Sequence, residues 1–176
     1  MARSPITPDR KFVVLAHGSI LSRIEASSKP GVIHYGLNEA IDMLFEEGLE
    51  QVFARHQRWA VGVRSAVEAW GLEIQCLEPA VHSPVLTGVV MPEGVDADAV
   101  RQIIEERFDL SLGAGLGKAK GKMFRIGHLG DSNDLTLVAT LAGCEAGMKL
   151  ADISLKGSGV MAALDYFADH PLNANA

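Results

Sequence analysis

The sequence predicts an α+β domain: a small, mostly antiparallel sheet with helices packed on one face. Three observations predict it. Apolar residues recur at helical spacing in several separate blocks. Short apolar runs bounded by glycine and proline lie between those blocks. Hairpin-like connections join several of the runs, and these suit antiparallel neighbours with helices on one side. The 176 residues, 48% apolar and 22% charged, suffice for one domain with a real core.

Residues 1–31 are expected to form an N-terminal arm and linker. Phe12-Val13-Val14-Leu15 reads as a short strand ended by His17-Gly18-Ser19, and Ser27-Ser28-Lys29-Pro30-Gly31 as a turn. The glycines around Ser19 do not have nucleophile-elbow spacing. Residues 32–168 are expected to form the domain and residues 169–176 a frayed tail.

The domain opens with helix. Leu37, Ile41, Leu44 and Phe45 mark one apolar face, and Gly48 interrupts it. Leu49, Val52, Phe53, Ala60, Val63, Val67 and Trp70 resume the spacing up to Gly71, a helix-ending glycine. Glu47, Glu50, Arg55, Arg58 and Arg64 fall on the other side and read as solvated. His56 reads as a satisfied helix histidine, since no second ligand stands at metal-binding spacing with it.

The period then changes. Leu72–Cys76 alternates as a strand, and Pro84–Met91 is a second strand between prolines. Asp96 is a candidate N-cap for a helix buried through Val100, Ile103, Ile104 and Phe108. Leu110-Ser111-Leu112 and Met123–Ile126 read as two further strands joined by a glycine-dense loop. Leu137, Leu141, Cys144 and Met148 mark a helix over about 132–149. Val160, Met161, Leu164 and Phe167 mark another over 157–168.

Composition excludes some functions. A net charge of -6 argues against general nucleic-acid binding. Cys76 and Cys144 make no disulfide framework, and read as reduced core thiols of a cytoplasmic protein. Met1–Arg10 is polar with two prolines, unlike a signal peptide, and Phe12–Ala16 is too short to span a membrane.

Arg125 poses the chemical question. It stands between Phe124 and Ile126, and burying an arginine in an apolar strand is costly without an anion. Its planar guanidinium matches a carboxylate bidentately. The alternative is a structural arginine whose stem packs while its head reaches water. His128 reads as a turn residue with a local hydrogen bond. The loop Gly113-Ala114-Gly115-Leu116-Gly117 leads to Lys118-Ala119, without the Ser or Thr that a phosphate-binding loop requires. Its glycines suit backbone geometry and close approach of a ligand. Lys156 precedes Gly157-Ser158-Gly159 in a polar turn, so a solvated lysine outweighs an activated one.

Ser111–Lys118 and Gly121–Gly130, with Tyr35–Ala40, Glu46–Glu50, Phe53–His56 and Val90–Ala97, resemble the class V, fold-type-I aminotransferases that use pyridoxal 5'-phosphate (PLP). The resemblance is to the serine–glyoxylate and alanine–glyoxylate group, over about residues 27–168, and to the C-terminal small domain. It implies amino-group transfer from serine or alanine to glyoxylate, with Arg125 binding the substrate carboxylate. Ser28, ahead of Pro30, stands near the hydroxyl residue that in the family touches the partner subunit's PLP phosphate. Glu25 replaces a helping tyrosine. The Schiff-base lysine and most of the phosphate cradle belong to the family's large domain, and nothing in this sequence resembles that domain. The expectation is therefore a domain inactive alone. Its partners would be a small amino or keto acid, and a second copy or a full-length aminotransferase subunit. The alternative expectation is a stand-alone carboxylate-binding or pairing domain without catalysis. No metal site is expected.

Overall fold

The computed structural model describes residues 30–172, with side chains from residue 36 onward. The Phe12–Leu15 run, Ser19, Glu25, Ser28 and residues 173–176 lie outside the described residues.

Two helices lead in: α1 (Pro30–Glu47) and α2 (Leu49–Trp70). Gly48 separates them with φ +90°, a conformation that favours glycine. Gly71 ends α2 at φ +76°, and its N–H donates to the carbonyls of Glu68 and Val67. The strands are β1 (Glu73–Ile74), β2 (Leu86–Val90), β3 (Gly113–Ala114) and β4 (Met123–Gly127). Helix α3 (Ala97–Phe108) lies between β2 and β3, and helices α4 (Asp134–Leu150) and α5 (Gly159–Asp169) close the chain. Each later helix has a side-chain cap. The Asp96 carboxylate accepts from Asp98 N–H, the Asn133 side chain from Thr136 N–H, and Ser158 Oγ from Met161 N–H.

The sheet runs β1-β2-β4-β3, and every neighbouring pair is antiparallel. Side chains alternate across it. Thr87 and Val89 of β2, with Phe124 and Ile126 of β4, are buried toward the helices. There they join Trp59, Val63, Val67 and Trp70 of α2, Ile104 of α3, Leu141 and Met148 of α4, and Phe167 of α5 in one core. Leu86, Gly88, Arg125 and Gly127 alternate with these, and so belong to the opposite face. The predicted α+β architecture with helices on one face is the one observed.

Some local expectations are corrected. Leu110-Ser111-Leu112 is not a strand. Its two leucines are buried in the core, and β3 forms one residue later, at Gly113–Ala114. Helix α4 begins at Asp134 rather than near 132, because the Asn133–Thr136 capping box fixes its start. Arg58 is not solvated: it is 8% exposed and paired with Asp134. Arg55 is also partly covered, held by Glu47 and by the Gly130 carbonyl at 2.8 Å. Cys76 is half-exposed on a loop rather than in the core, whereas Cys144 is fully buried, and burial pushes its thiol pKa well up. His56 is a satisfied helix histidine. Its Nδ1 stands 2.6 Å from the Val52 carbonyl, and its Nε2 accepts from Gly130 N–H.

Candidate functional site

The site is built around Arg125 on the face of the sheet away from the helices. Strand register decides its surroundings. Arg125 of β4 pairs with Gly88 of β2 on one side and with Gly113 of β3 on the other. Cross-strand partners project from the same face, so the arginine has no side chain beside it on either neighbouring strand. Its Nε–H donates to the Ala114 carbonyl at 2.9 Å. Among the described residues no carboxylate pairs with it, and its terminal Nη donors have no partner. Each guanidinium carries five donors in a fixed fork, so most of this fork is uncommitted.

A cleft of about 260 Å³ adjoins it, lined by Arg125, Gly88, Met123, Cys76 and His82 among others. Arg64 of α2 also lines it, and burial holds the Arg64 pKa below its usual value. His82 Nε2–H donates to the Cys76 carbonyl at 2.8 Å, which fixes the 76–82 loop across the cleft. The glycine-dense segment covers Met123. A Cβ on Gly115 would fall 3.0 Å from Met123 Cγ and collide with the Ala119 carbonyl. Gly115 thus permits the close turn expected of the loop. Lys118, Lys120 and Lys122 remain exposed.

His128 sits behind the strand, fully buried. Nδ1 is 3.1 Å from the Pro84 carbonyl, which can only accept, so Nδ1 carries the proton. Nε2 is then an acceptor, and the Thr87 hydroxyl donates to it at 2.9 Å. Burial above all, with the nearby Arg64 charge, lowers its pKa to about 4, leaving it neutral near pH 7. His128 therefore pins β4 to the start of β2. It is a structural histidine, but its bonds reach 41 and 44 residues back along the chain rather than being local to its turn.

Gly88 is the site residue that sequence reasoning missed. A lone glycine inside an otherwise apolar strand was the available signal. Lys156 does not come to the site. It is exposed, and its stem packs over Gly71 at the end of α2. All five described lysines are exposed, and none lines a described cleft. The described residues therefore do not fit a PLP-anchoring role. No group of three His, Cys, Asp or Glu among them could hold a metal ion. No described helix is long and apolar enough to cross a membrane.

The antiparallel sheet with helices on one face resembles the small domains of aminotransferases. The chain fits the C-terminal small domain of the class V aminotransferases, in the serine–glyoxylate and alanine–glyoxylate group. The serine–glyoxylate aminotransferase of Methylorubrum extorquens is 47% identical over 141 residues, 78% of this chain and 35% of that protein. The L-aspartate–glyoxylate aminotransferase of Paracoccus denitrificans is 43% identical over 135 residues, 75% of this chain and 34% of that protein. Among solved structures, a ureidoglycine–glyoxylate aminotransferase from Bacillus subtilis matches with a TM-score of 0.74 at 29% identity. It covers 84% of this chain and 38% of that one. A pyridoxamine–pyruvate aminotransferase from Mesorhizobium loti matches at 0.72 with 36% identity, over 77% of this chain and 35% of that one. The chain spans about a third of the length of the curated relatives it matches. No family model matches it.

Proposed function

We propose that this chain supplies the substrate-carboxylate wall of a PLP-dependent transamination that uses glyoxylate. One observation carries the reading: among the described residues Arg125 is held by a single bond through Nε, and its Nη donors have no partner beside a cleft. A carboxylate placed there receives two charge-assisted hydrogen bonds with fixed geometry. The glyoxylate in the names of relatives at 43–47% identity supports glyoxylate or a small amino acid as the ligand. PLP supplies the electron sink that carries the amino group in such enzymes. The residues described here bind and orient the carboxylate and leave the cofactor chemistry to residues elsewhere. Ser28, as a contact to a neighbour's PLP phosphate, belongs to the same proposal.

The test is a glyoxylate titration of the isotope-labelled 176-residue chain, followed by NMR at the Arg125 side chain. Glyoxylate should shift the Arg125 resonances of the wild type. Arg125→Lys keeps the charge but loses the fork, and should weaken binding about tenfold or more, the effect of losing a bidentate pair. Equal binding by Arg125→Lys would remove the clamp from this residue. Mixed with PLP, serine and glyoxylate, the chain alone should not transaminate. Turnover at the rate of a full-length relative would overturn that part.

A second reading, a pairing domain without catalysis, is favoured by α1. Leu37, Ile41, Leu44 and Phe45 are all exposed along it, Phe45 at 68%. Apolar surface of this kind marks an interaction face. In gel filtration with a full-length serine–glyoxylate aminotransferase, this reading expects co-elution, lost in Ile41→Glu/Phe45→Glu. Separate elution at micromolar concentrations would count against it.

A further inference from the structure

Resting on the reading of Arg125 as a carboxylate clamp, we infer that Gly113 and the Ala114 carbonyl of β3 set the guanidinium in its receiving orientation before any ligand arrives. Gly113 is a positioning residue here. A guanidinium can meet a carboxylate through Nε and one Nη, or end-on through both Nη atoms. In this structure Nε–H is already given to the Ala114 carbonyl at 2.9 Å. That closes the side-on mode and leaves the end-on pair.

The side chain reaches this position because it lies over Gly113. A Cβ at Gly113 would stand 3.2 Å from Arg125 Cβ, 3.2 Å from Nε and 3.5 Å from Cζ. The two at 3.2 Å are tighter than ordinary packing, so with an alanine there the arginine must give by a few tenths of an ångström, which loosens its bond to the Ala114 carbonyl. The backbone itself accepts alanine, because Gly113 is not among the residues with positive φ. Gly88, on the other flank, adds no side chain of its own, and Met123 and Gln75 pack over it, with Met123 Cε 2.5 Å from where a Cβ would stand. An arginine oriented in advance loses less rotamer freedom on binding than a mobile one, and that difference appears as affinity.

The experiment uses the full chain with labelled arginine. In the wild type without ligand, the Arg125 Nε–H should exchange slowly with water, because it is bonded to Ala114. In Gly113→Ala that protection should disappear. Glyoxylate binding should weaken about three- to tenfold, the cost of immobilising one long side chain. The thermal midpoint should stay near the wild-type value. A merely structural glycine would lower the midpoint and leave Nε–H exchange unchanged. Undiminished glyoxylate binding in Gly113→Ala, with wild-type binding intact, would overturn this inference alone. No glyoxylate response in the wild type would overturn the clamp and this inference with it. Should Gly113→Ala fail to fold, exchange in the wild type decides: an unprotected Nε–H before ligand refutes advance positioning, and a protected one sustains it.

Discussion

Arg58→Ala should destabilise the domain by about 3 kcal/mol, the largest effect expected from any charged side chain here. Arg58 leaves the middle of α2 and joins two other helices. Its Nη1 and Nη2 donate to the Asp134 carboxylate at 2.6 and 2.9 Å, in the first turn of α4. Nη2 also donates to the Phe167 carbonyl at 2.8 Å, and Nε donates to the His170 carbonyl. Those carbonyls end α5, where the helix leaves acceptors unsatisfied. The guanidinium lies 4.8 Å from the centre of the Phe167 ring. Removing it leaves a buried carbonyl without a donor, opens a void beside Phe167 and strips Asp134 of its counter-ion. The Arg58 hydrogen bonds hold the Asp134 carboxyl below its ordinary pKa, so that share of stability is present above the unfolded carboxylate range and fades as pH falls.

Urea denaturation reads the loss as a lower midpoint at constant slope. Heat should read it as roughly 10 °C in Tm, for a domain of this size. Arg58→Lys should recover only part, since an ammonium cannot reach a carboxylate and two carbonyls with one planar fork. In a double-mutant cycle, Asp134→Ala should cost less in the Arg58→Ala background than in the wild type. Additive effects, or a loss below about 1 kcal/mol for Arg58→Ala, would mean that this guanidinium adds little to the joint between the three helices.

Arg58 also shows where sequence reading stops. By helical spacing it belongs among the polar residues of α2, and nothing local distinguishes it from Glu50. It is buried because two helix ends from far along the chain close over it, and Asp134 and Phe167 lie 76 and 109 residues away. The α+β class, the helices and the central strands were legible because each is written in local periodicity, glycines and caps. Position β3 was not. Leu110 and Leu112 alternate as strand residues do, yet they are drawn into the core: a Cβ on Gly143 of α4 would come 2.7 Å from Leu110 Cδ2. The site divides the same way. Arg125 was visible as a charge in an apolar strand. That Gly88 and Gly113 flank it was not, because register is a property of strand pairs and a single strand does not contain it. Ser28 lies outside the described residues and keeps only its sequence argument.

Among the charged side chains Glu145→Ala should be the next most damaging change, and it should also flatten the acid limb of stability. Glu145 stands in α4 between Cys144 and Gly147, on the buried side, and is 6% exposed. Trp70 Nε1–H donates to its Oε2 at 3.0 Å, Ser158 Oγ–H at 3.1 Å and Val160 N–H at 3.3 Å. Lys149 donates to Oε1 at 2.7 Å. One carboxylate thereby binds the end of α2 to the start of α5, whose free N–H groups favour negative charge. Burial acts to raise its pKa. The donors from Lys149, Trp70, Val160 and Ser158 outweigh that and hold it at about 2. An unfolded glutamate titrates near ~4.3, so the folded value is depressed. Its contribution is therefore complete above about pH 5 and is lost as pH falls toward about 2. His128 acts in a separate window. Its pKa of about 4 lies below the unfolded value of about 6.5, so its share declines between those values as pH falls. Subtracting the variant from the wild type cancels the histidine. At neutral pH Glu145→Ala should cost about 2–3 kcal/mol, because Trp70 and Val160 lose the acceptor of a charge-assisted bond. Between about pH 5 and 2 the gap between the two proteins should narrow. Glu145→Gln keeps an acceptor oxygen and should cost less, with the same flattened limb. Parallel acid limbs in the wild type and in Glu145→Gln would show that this carboxylate is protonated alike in the folded and unfolded chains. The joint between α2, α4 and α5 would then draw no net contribution from this charge.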